Sequence, residues 1–290
     1  MDQQGIARLL RRTAAACLPP IAARLLRSCY QACRQRTFEY VAEGWRRPIG
    51  SGWGHAAVAA ASAARWPGFE NALRGPGPLG IAHEAPVHGC DNLPAHNTIM
   101  SFGYVLALAA QGAPRVSVLD WGGGLGHYGL LARALLPDTT VDYHCKDLPA
   151  FCARGRELLP DAQFFTSDAD FAGKTFDLVV ASGALQYCEP WREAVRSLSA
   201  AAGRYLFITR LPVARRATSF VFLQRPHEFG YPTEYLSWCF NRDEFLGELA
   251  AIDMELCREF VVGERLDVPG APEPCLFAGF LFRHRKGVNR

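Results

Sequence analysis

The sequence predicts an α/β protein built on a mostly parallel sheet, and three observations carry that prediction. The first is the stretch 116–129, VSVLDWGGGLGHYG. An apolar run of β type ends in a single acid, Asp120; a glycine cluster follows at Gly122, Gly123, Gly124 and Gly126; then comes helix-forming sequence. Strand, tight glycine turn and helix bring backbone amides and a helix N-terminus up to a small ligand. The second is the alternation of strand-like and helix-like segments from residue 116 onward, the pattern of crossovers between parallel strands. The third lies at the end of the chain. Two strand-like runs, 256–262 and 275–283, are separated only by a Gly/Pro-rich turn, so they pair as an antiparallel hairpin.

Taken in order, strands are predicted at 116–120, 140–146, 163–166, 176–182 and 204–210, with helices at 127–136, 149–158, 190–201 and 242–250. Upstream, 56–66 is an alanine-rich helix and 99–111 a helix leading into the first strand. Residues 44–54 (GWRRPIGSGWG) form a turn-rich connector and 75–82 a loop. The polar segment 83–98 carries His83, His88 and His96, whose spacings of five and eight suit one helix face poorly; it reads as a surface loop or pocket lining and not as a metal site. The resulting division is a basic helical extension over 1–43, a helical cap over 44–115, and a core over 116–290 that carries a substrate-covering insert at 211–240.

Composition narrows the partners. A net charge of +3 over 290 residues is too mild to argue for nucleic acid. The charge is uneven: residues 1–50 hold nine arginines against Asp2, Glu39 and Glu43. Within them, 5–36 reads as amphipathic helix broken at Pro19 and Pro20. Its basic face suits a peripheral contact with anionic lipid or a partner protein, or is simply a solvated arm packed on the body. No apolar window reaches the ~18 residues of a membrane span. Ten cysteines without a C-x-x-C pair read as reduced, mostly buried residues of a cytoplasmic protein with no metal.

The glycine turn leaves two ligand readings open by itself. Gly124, Gly126 and Gly129 fit the G-x-G-x-x-G of dinucleotide-binding turns, which would imply an NAD-dependent oxidoreductase. Asp120 with Gly122, Gly124 and Gly126, however, makes an acid-x-G-x-G-x-G pattern that resembles class I S-adenosylmethionine-dependent methyltransferases. That resemblance implies a Rossmann-like sheet of order 3-2-1-4-5-7-6 whose last strand is antiparallel, as the closing hairpin requires. It also implies S-adenosylmethionine as cofactor, held at Asp120, Trp121, Gly122, Gly123, Gly124 and Gly126. In the same frame Asp147, 21 residues after Gly126, would accept both ribose hydroxyls, with Leu148 beside it. Ser167 and Asp168 would lie near the adenine, and Ser182 and Gln186 would face the reacting sulfur. Each acid also has a purely structural reading, since Asp favours helix caps and turns.

Four stretches narrow the resemblance to a bacterial methyltransferase family found in surface-polysaccharide gene clusters: VLDWGGGLG, VVASGALQYCEPW, YLFITRLP with FVFLQRP after it, and YPTEYLSWCFNRDEFL. It covers about 44–285. Where that family has Asp-Arg-Thr-Pro, this chain has Thr209, Arg210, Leu211 and Pro212, so any role of that Asp is lost. The implied reaction is in-line methyl transfer to a hydroxyl, or an amine, of a small-molecule or saccharide acceptor. A non-catalytic binding subunit of the same fold is the other reading. A hydroxyl acceptor needs a base, for which His127 and His227 are the candidates, with Arg210 as a further catalytic group. The alternative role for His127 is to donate to a cofactor carboxylate. Tyr231, Tyr235 and Trp238 in the insert are candidates to cover the sulfonium or stack on a sugar ring, or simply to pack the cover.

Overall fold

The computed structural model describes residues 37–46, 50–82, 89–227 and 230–285. The predicted helices of 5–36, and His83 and His88, lie outside the described residues.

The core strands are β2 (Arg115–Trp121), β3 (Thr140–Lys146), β4 (Gln163–Phe165), β5 (Phe176–Ser182), β6 (Ala202–Ala214), β9 (Met254–Leu266) and β10 (Cys275–His284). They lie in the order β4-β3-β2-β5-β6-β10-β9. Neighbours from β4 to β6 are parallel, whereas β10 runs antiparallel to both β6 and β9. This is the 3-2-1-4-5-7-6 arrangement expected from the sequence. Its central strands are apolar on both faces because both are covered, as parallel sheets require. Val116, Val118, Leu178, Val180 and Phe207 belong to one core, and Leu119, Val179, Ala181, Leu206 and Ile208 to the other.

The first face is covered by α1 (Ala56–Arg74), α2 (Leu93–Ala110), α3 (His127–Leu135) and α4 (Pro149–Leu158), through residues such as Phe69, Phe102, Leu131 and Phe151. The second is covered by α5 (Trp191–Ala201) and α6 (Arg242–Ala251), through Trp191, Leu198, Phe245 and Leu249. Two helices are longer than the sequence predicts. Helix α1 runs past 66 to Arg74, and α2 begins at Leu93, where Asn92 Oδ1 caps the Ala95 amide at 3.0 Å. His96 therefore sits in the first turns of α2 and not in a loop.

The insert at 211–240 takes a form that the sequence reading did not anticipate. Strand β6 continues past the end of β5, and there β8 (Tyr235–Asn241) pairs parallel to it at Val213 and Ala214. Strand β7 (Phe220–Gln224) pairs antiparallel to β8, and β1 (Phe38–Val41) antiparallel to β7. Residues 38–41, placed by the sequence in a helical extension, are thus the outer strand of a three-stranded sub-sheet. Arg225 fastens it, bonding Glu39 Oε2 at 2.6 Å and Glu234 Oε1 at 2.7 Å. The sub-sheet stands beyond the carboxyl end of β5, the edge where open α/β sheets take their ligands.

Candidate cofactor and acceptor site

The glycine turn leaves β2 at Trp121 and enters α3 at His127, with Gly122, Gly124 and Gly126 all at positive φ (73°, 61° and 94°). The reason for glycine differs along the turn. A Cβ on Gly122 would lie 2.3 Å from Ala184 Cβ, and one on Gly123 2.3 Å from Asp120 Oδ2. Gly124 would meet nothing nearer than Phe151 at 4.0 Å, so the space beside it is open for a ligand while its φ still favours glycine.

Asp120 lies under this turn, 1% exposed. Tyr143 donates its hydroxyl to Oδ2, while Oδ1 is buried with no hydrogen-bond partner. Burial raises the carboxyl pKa to about 7; the Tyr143 bond works against the shift and the nearby Asp147 carboxylate adds to it. A buried carboxylate oxygen without a partner is costly unless a cation comes to it.

Asp147 closes the site on the other side. Its Oδ2 accepts the Gly124 amide at 2.7 Å and its Oδ1 accepts the Leu148 amide at 2.6 Å. Burial raises its pKa, against which the two amides and Lys146 act. It therefore fastens the glycine turn to the segment that enters α4. Each oxygen nevertheless keeps a further lone-pair direction, enough for the two hydroxyls of a diol. Leu148 beside it is exposed, an apolar wall at the same edge.

Farther along, Ser167 caps a short 3-10 turn, its Oγ accepting the Ala169 amide at 3.2 Å. Asp168 Oδ1 accepts Trp121 Nε1–H at 3.0 Å and pairs with Lys146 Nζ at 3.1 Å. The Trp121 side chain thus faces away from the turn into the core, and Lys146, which lies 4.9 Å over its ring, joins the group. At the end of β5, Ser182 shares a 2.7 Å hydrogen bond with the Tyr128 hydroxyl. Gln186 is buried; its Nε2 donates to the Arg210 carbonyl at 3.4 Å while its Oε1 has no partner.

Above these loops the sub-sheet and the connector contribute aromatics. Trp53 stacks on Tyr235 at 4.2 Å between ring centres, and Tyr187 meets both edge-on at 5.1 and 5.8 Å. Trp53 Nε1 and the Tyr235 hydroxyl are buried without hydrogen-bond partners, as is Trp238 Nε1. Tyr231 is fixed otherwise, its hydroxyl accepting from Arg65 at 2.7 Å and meeting Ser62 Oγ at 3.3 Å. Trp238 stacks on Trp45 at 5.3 Å, outside the Trp53 group. Of the three insert aromatics, Tyr235 is thus the one stacked on Trp53, with Tyr231 tilted against the same ring at 6.4 Å.

His127 is 3% exposed and lies against Trp66 and Phe69, with ring centres 4.8 and 4.9 Å away. His227 is exposed just past β7. The Arg210 guanidinium lies against Gly183, whose Cβ would be 3.5 Å from Nη1. Trp53, Tyr143 and Lys146 are the residues that motif reading missed. The glycine-flanked tryptophan of SGWG and the lysine directly before Asp147 were the available signals.

The sequence matches no family profile and no curated protein. Among solved structures, the fold is similar to a 1,6-didemethyltoxoflavin N1-methyltransferase from Burkholderia thailandensis, at 15% identity and TM-score 0.45, covering 83% of this chain and 93% of that one. It is likewise similar to the magnesium protoporphyrin IX methyltransferase of Synechocystis, at 15% identity and TM-score 0.45, covering 79% and 98%. Both were crystallised with S-adenosylhomocysteine. Likeness of this degree is one of outline, and the site is read from its own residues.

Proposed function

We propose that this chain is an S-adenosylmethionine-dependent methyltransferase acting on a hydroxyl, or an amine, of a small-molecule or saccharide acceptor. The observation that carries the proposal is Asp120, with one carboxylate oxygen tied by Tyr143 and the other buried and unpartnered beneath a glycine turn that opens at Gly124. An α-ammonium is the group that relieves such an oxygen. Asp147 stands across the turn with capacity for a ribose diol, and Leu148 with Asp168 would flank the adenine. The antiparallel β10 between β6 and β9 supports this reading over a dinucleotide one.

When bound, the cofactor supplies a methyl group on a positively charged sulfur. The chain's own work is then mostly positioning. Ser182, Gln186 and the loop between them hold the carboxyl end of β5, and Trp53 with Tyr235 excludes water from above. The enclosure of His127 between Trp66 and Phe69 favours its role as a donor to a cofactor carboxylate over that of base. His227, exposed beside the sub-sheet, remains the base proposed for a hydroxyl acceptor.

Titration calorimetry with S-adenosylhomocysteine tests the cofactor part, and methyl incorporation from labelled cofactor across sugar and small-molecule acceptors tests the rest. Saturable binding with no incorporation into any acceptor would favour the binding-subunit reading.

A further inference from the structure

Trp53 gathers three tyrosines around its ring, Tyr235, Tyr187 and Tyr231, at 4.2, 5.1 and 6.4 Å. The four residues fall into two pairs by the state of their polar atoms. Tyr187 donates its hydroxyl to Gln224 Oε1 on β7 at 3.0 Å. The Tyr231 hydroxyl accepts from Arg65 at 2.7 Å and meets Ser62 Oγ at 3.3 Å, both on α1. These two side chains are fastened by the chain itself. Trp53 Nε1 and the Tyr235 hydroxyl are not: both are buried, and neither has a hydrogen-bond partner among the described residues. A buried polar atom left without a partner costs free energy that a ligand can recover.

The two unpartnered atoms belong together. Trp53 and Tyr235 stack with ring planes 8° apart, so their polar tips lie within reach of one small ligand. Tyr235, the first residue of β8, is 2% exposed. Trp53 is half-buried and borders solvent, on a short turn between Gly52 and Gly54. Tyr187, in the turn directly after β5, meets both rings edge-on and so ties the pair to the carboxyl end of that strand.

The chemistry of the two atoms narrows what they take. An indole N–H only donates, whereas a phenol hydroxyl donates or accepts. Together they match a ligand hydroxyl and the oxygen next to it, an arrangement repeated around a sugar ring. The charges nearest the cluster act on the two fastened phenols, Arg65 on Tyr231 and Glu264 on Tyr187. Burial raises the pKa of Tyr235, and the groups that add to the shift are the phenols Tyr187 and Tyr231. A charged ligand group placed there would be desolvated without a counter-ion, a cost that a hydroxyl does not carry.

Resting on the methyltransferase reading, we infer that Trp53 Nε1 and the Tyr235 hydroxyl are specificity-determining groups that hydrogen-bond an uncharged, polyhydroxylated part of the acceptor. The class of acceptor is then a neutral sugar.

The test is calorimetry on the full chain saturated with S-adenosylhomocysteine. The probes are the methyl glycosides of glucose, galactose, mannose and rhamnose, with the methyl glycoside of glucuronic acid as the charged control. At least one neutral glycoside is expected to bind, at least about tenfold tighter than the glucuronide. Tyr235→Phe and Trp53→Phe keep a ring but lose the polar atom. Each is expected to weaken that binding at least about fivefold, with S-adenosylhomocysteine affinity kept within about twofold. Free Tyr235→Phe is expected to melt no lower than the wild type, because it removes a buried hydroxyl that has no partner. The inference is overturned if the wild type, saturated with S-adenosylhomocysteine, binds none of the neutral glycosides or binds the glucuronide at least as tightly. It is also overturned if either variant binds unchanged, or if Tyr235→Phe melts more than about 3 °C lower, since the hydroxyl would then serve the fold. A wild type that binds no S-adenosylhomocysteine at all would instead sink the methyltransferase reading beneath it.

Discussion

Asp120 and Asp147 were both legible as residues, since an acid before a glycine turn and another at the next strand end are visible in sequence. Their environments were not. That Asp120 leaves one buried oxygen unpartnered depends on Tyr143, 23 residues away on the neighbouring strand. This environment predicts a pH dependence. The folded-state pKa of about 7 lies above the ordinary value of 3.8, so between the two the folded protein holds a proton that the unfolded chain has lost. This contribution to stability is complete below the ordinary value and is lost as pH rises through about 7. Melting of the ligand-free protein from pH 5 to 8 should show the decline, and Asp120→Asn should flatten it. Binding of an ammonium needs the ionised form, so S-adenosylhomocysteine affinity should fall by about tenfold per pH unit below 7 in the wild type only. Asp147→Ala removes the acceptor of two amides and should cost about 1–3 kcal/mol of stability, read by chemical denaturation.

Among elements, the glycine turn and the loop after β5 behave as one unit because Gly122 and Ala184 share a space with room for a single methyl. Gly122→Ala should destabilise by about 2–3 kcal/mol, part from contact and part from its φ of 73°. Adding Ala184→Gly should recover the contact part alone, so the double variant melts between Gly122→Ala and the wild type. The long central strands and their helices could be read from sequence because their apolar periods are local. The sub-sheet could not: β1 has four residues, and its partner β7 lies some 180 positions downstream. Nothing local marks such a pairing. The ion pairs of Arg225 fasten it modestly, and Arg225→Ala should cost about 1 kcal/mol or less, given the exposure of Glu39 and Glu234.

Across the whole molecule, the two ends of the ligand edge carry different kinds of information. The proposed cofactor end is built from consecutive strand ends of the core, so a motif read outward from one turn reaches the residues proposed for it. The proposed acceptor end is assembled from the connector at Trp53, the loop after β5 and the first residue of β8, segments that only the folded chain brings together. Trp53→Ala, which removes the ring stacked on Tyr235, should therefore leave S-adenosylhomocysteine affinity within about twofold and depress methyl transfer at least about tenfold. The central claim is cofactor binding between Asp120 and Asp147. Its most direct test is calorimetric titration of S-adenosylhomocysteine into the wild type and Asp147→Ala at pH 8. One-to-one binding by the wild type, weakened at least about a hundredfold in the variant, is the predicted result. No binding by the wild type, or equal affinity in the two proteins, would contradict it.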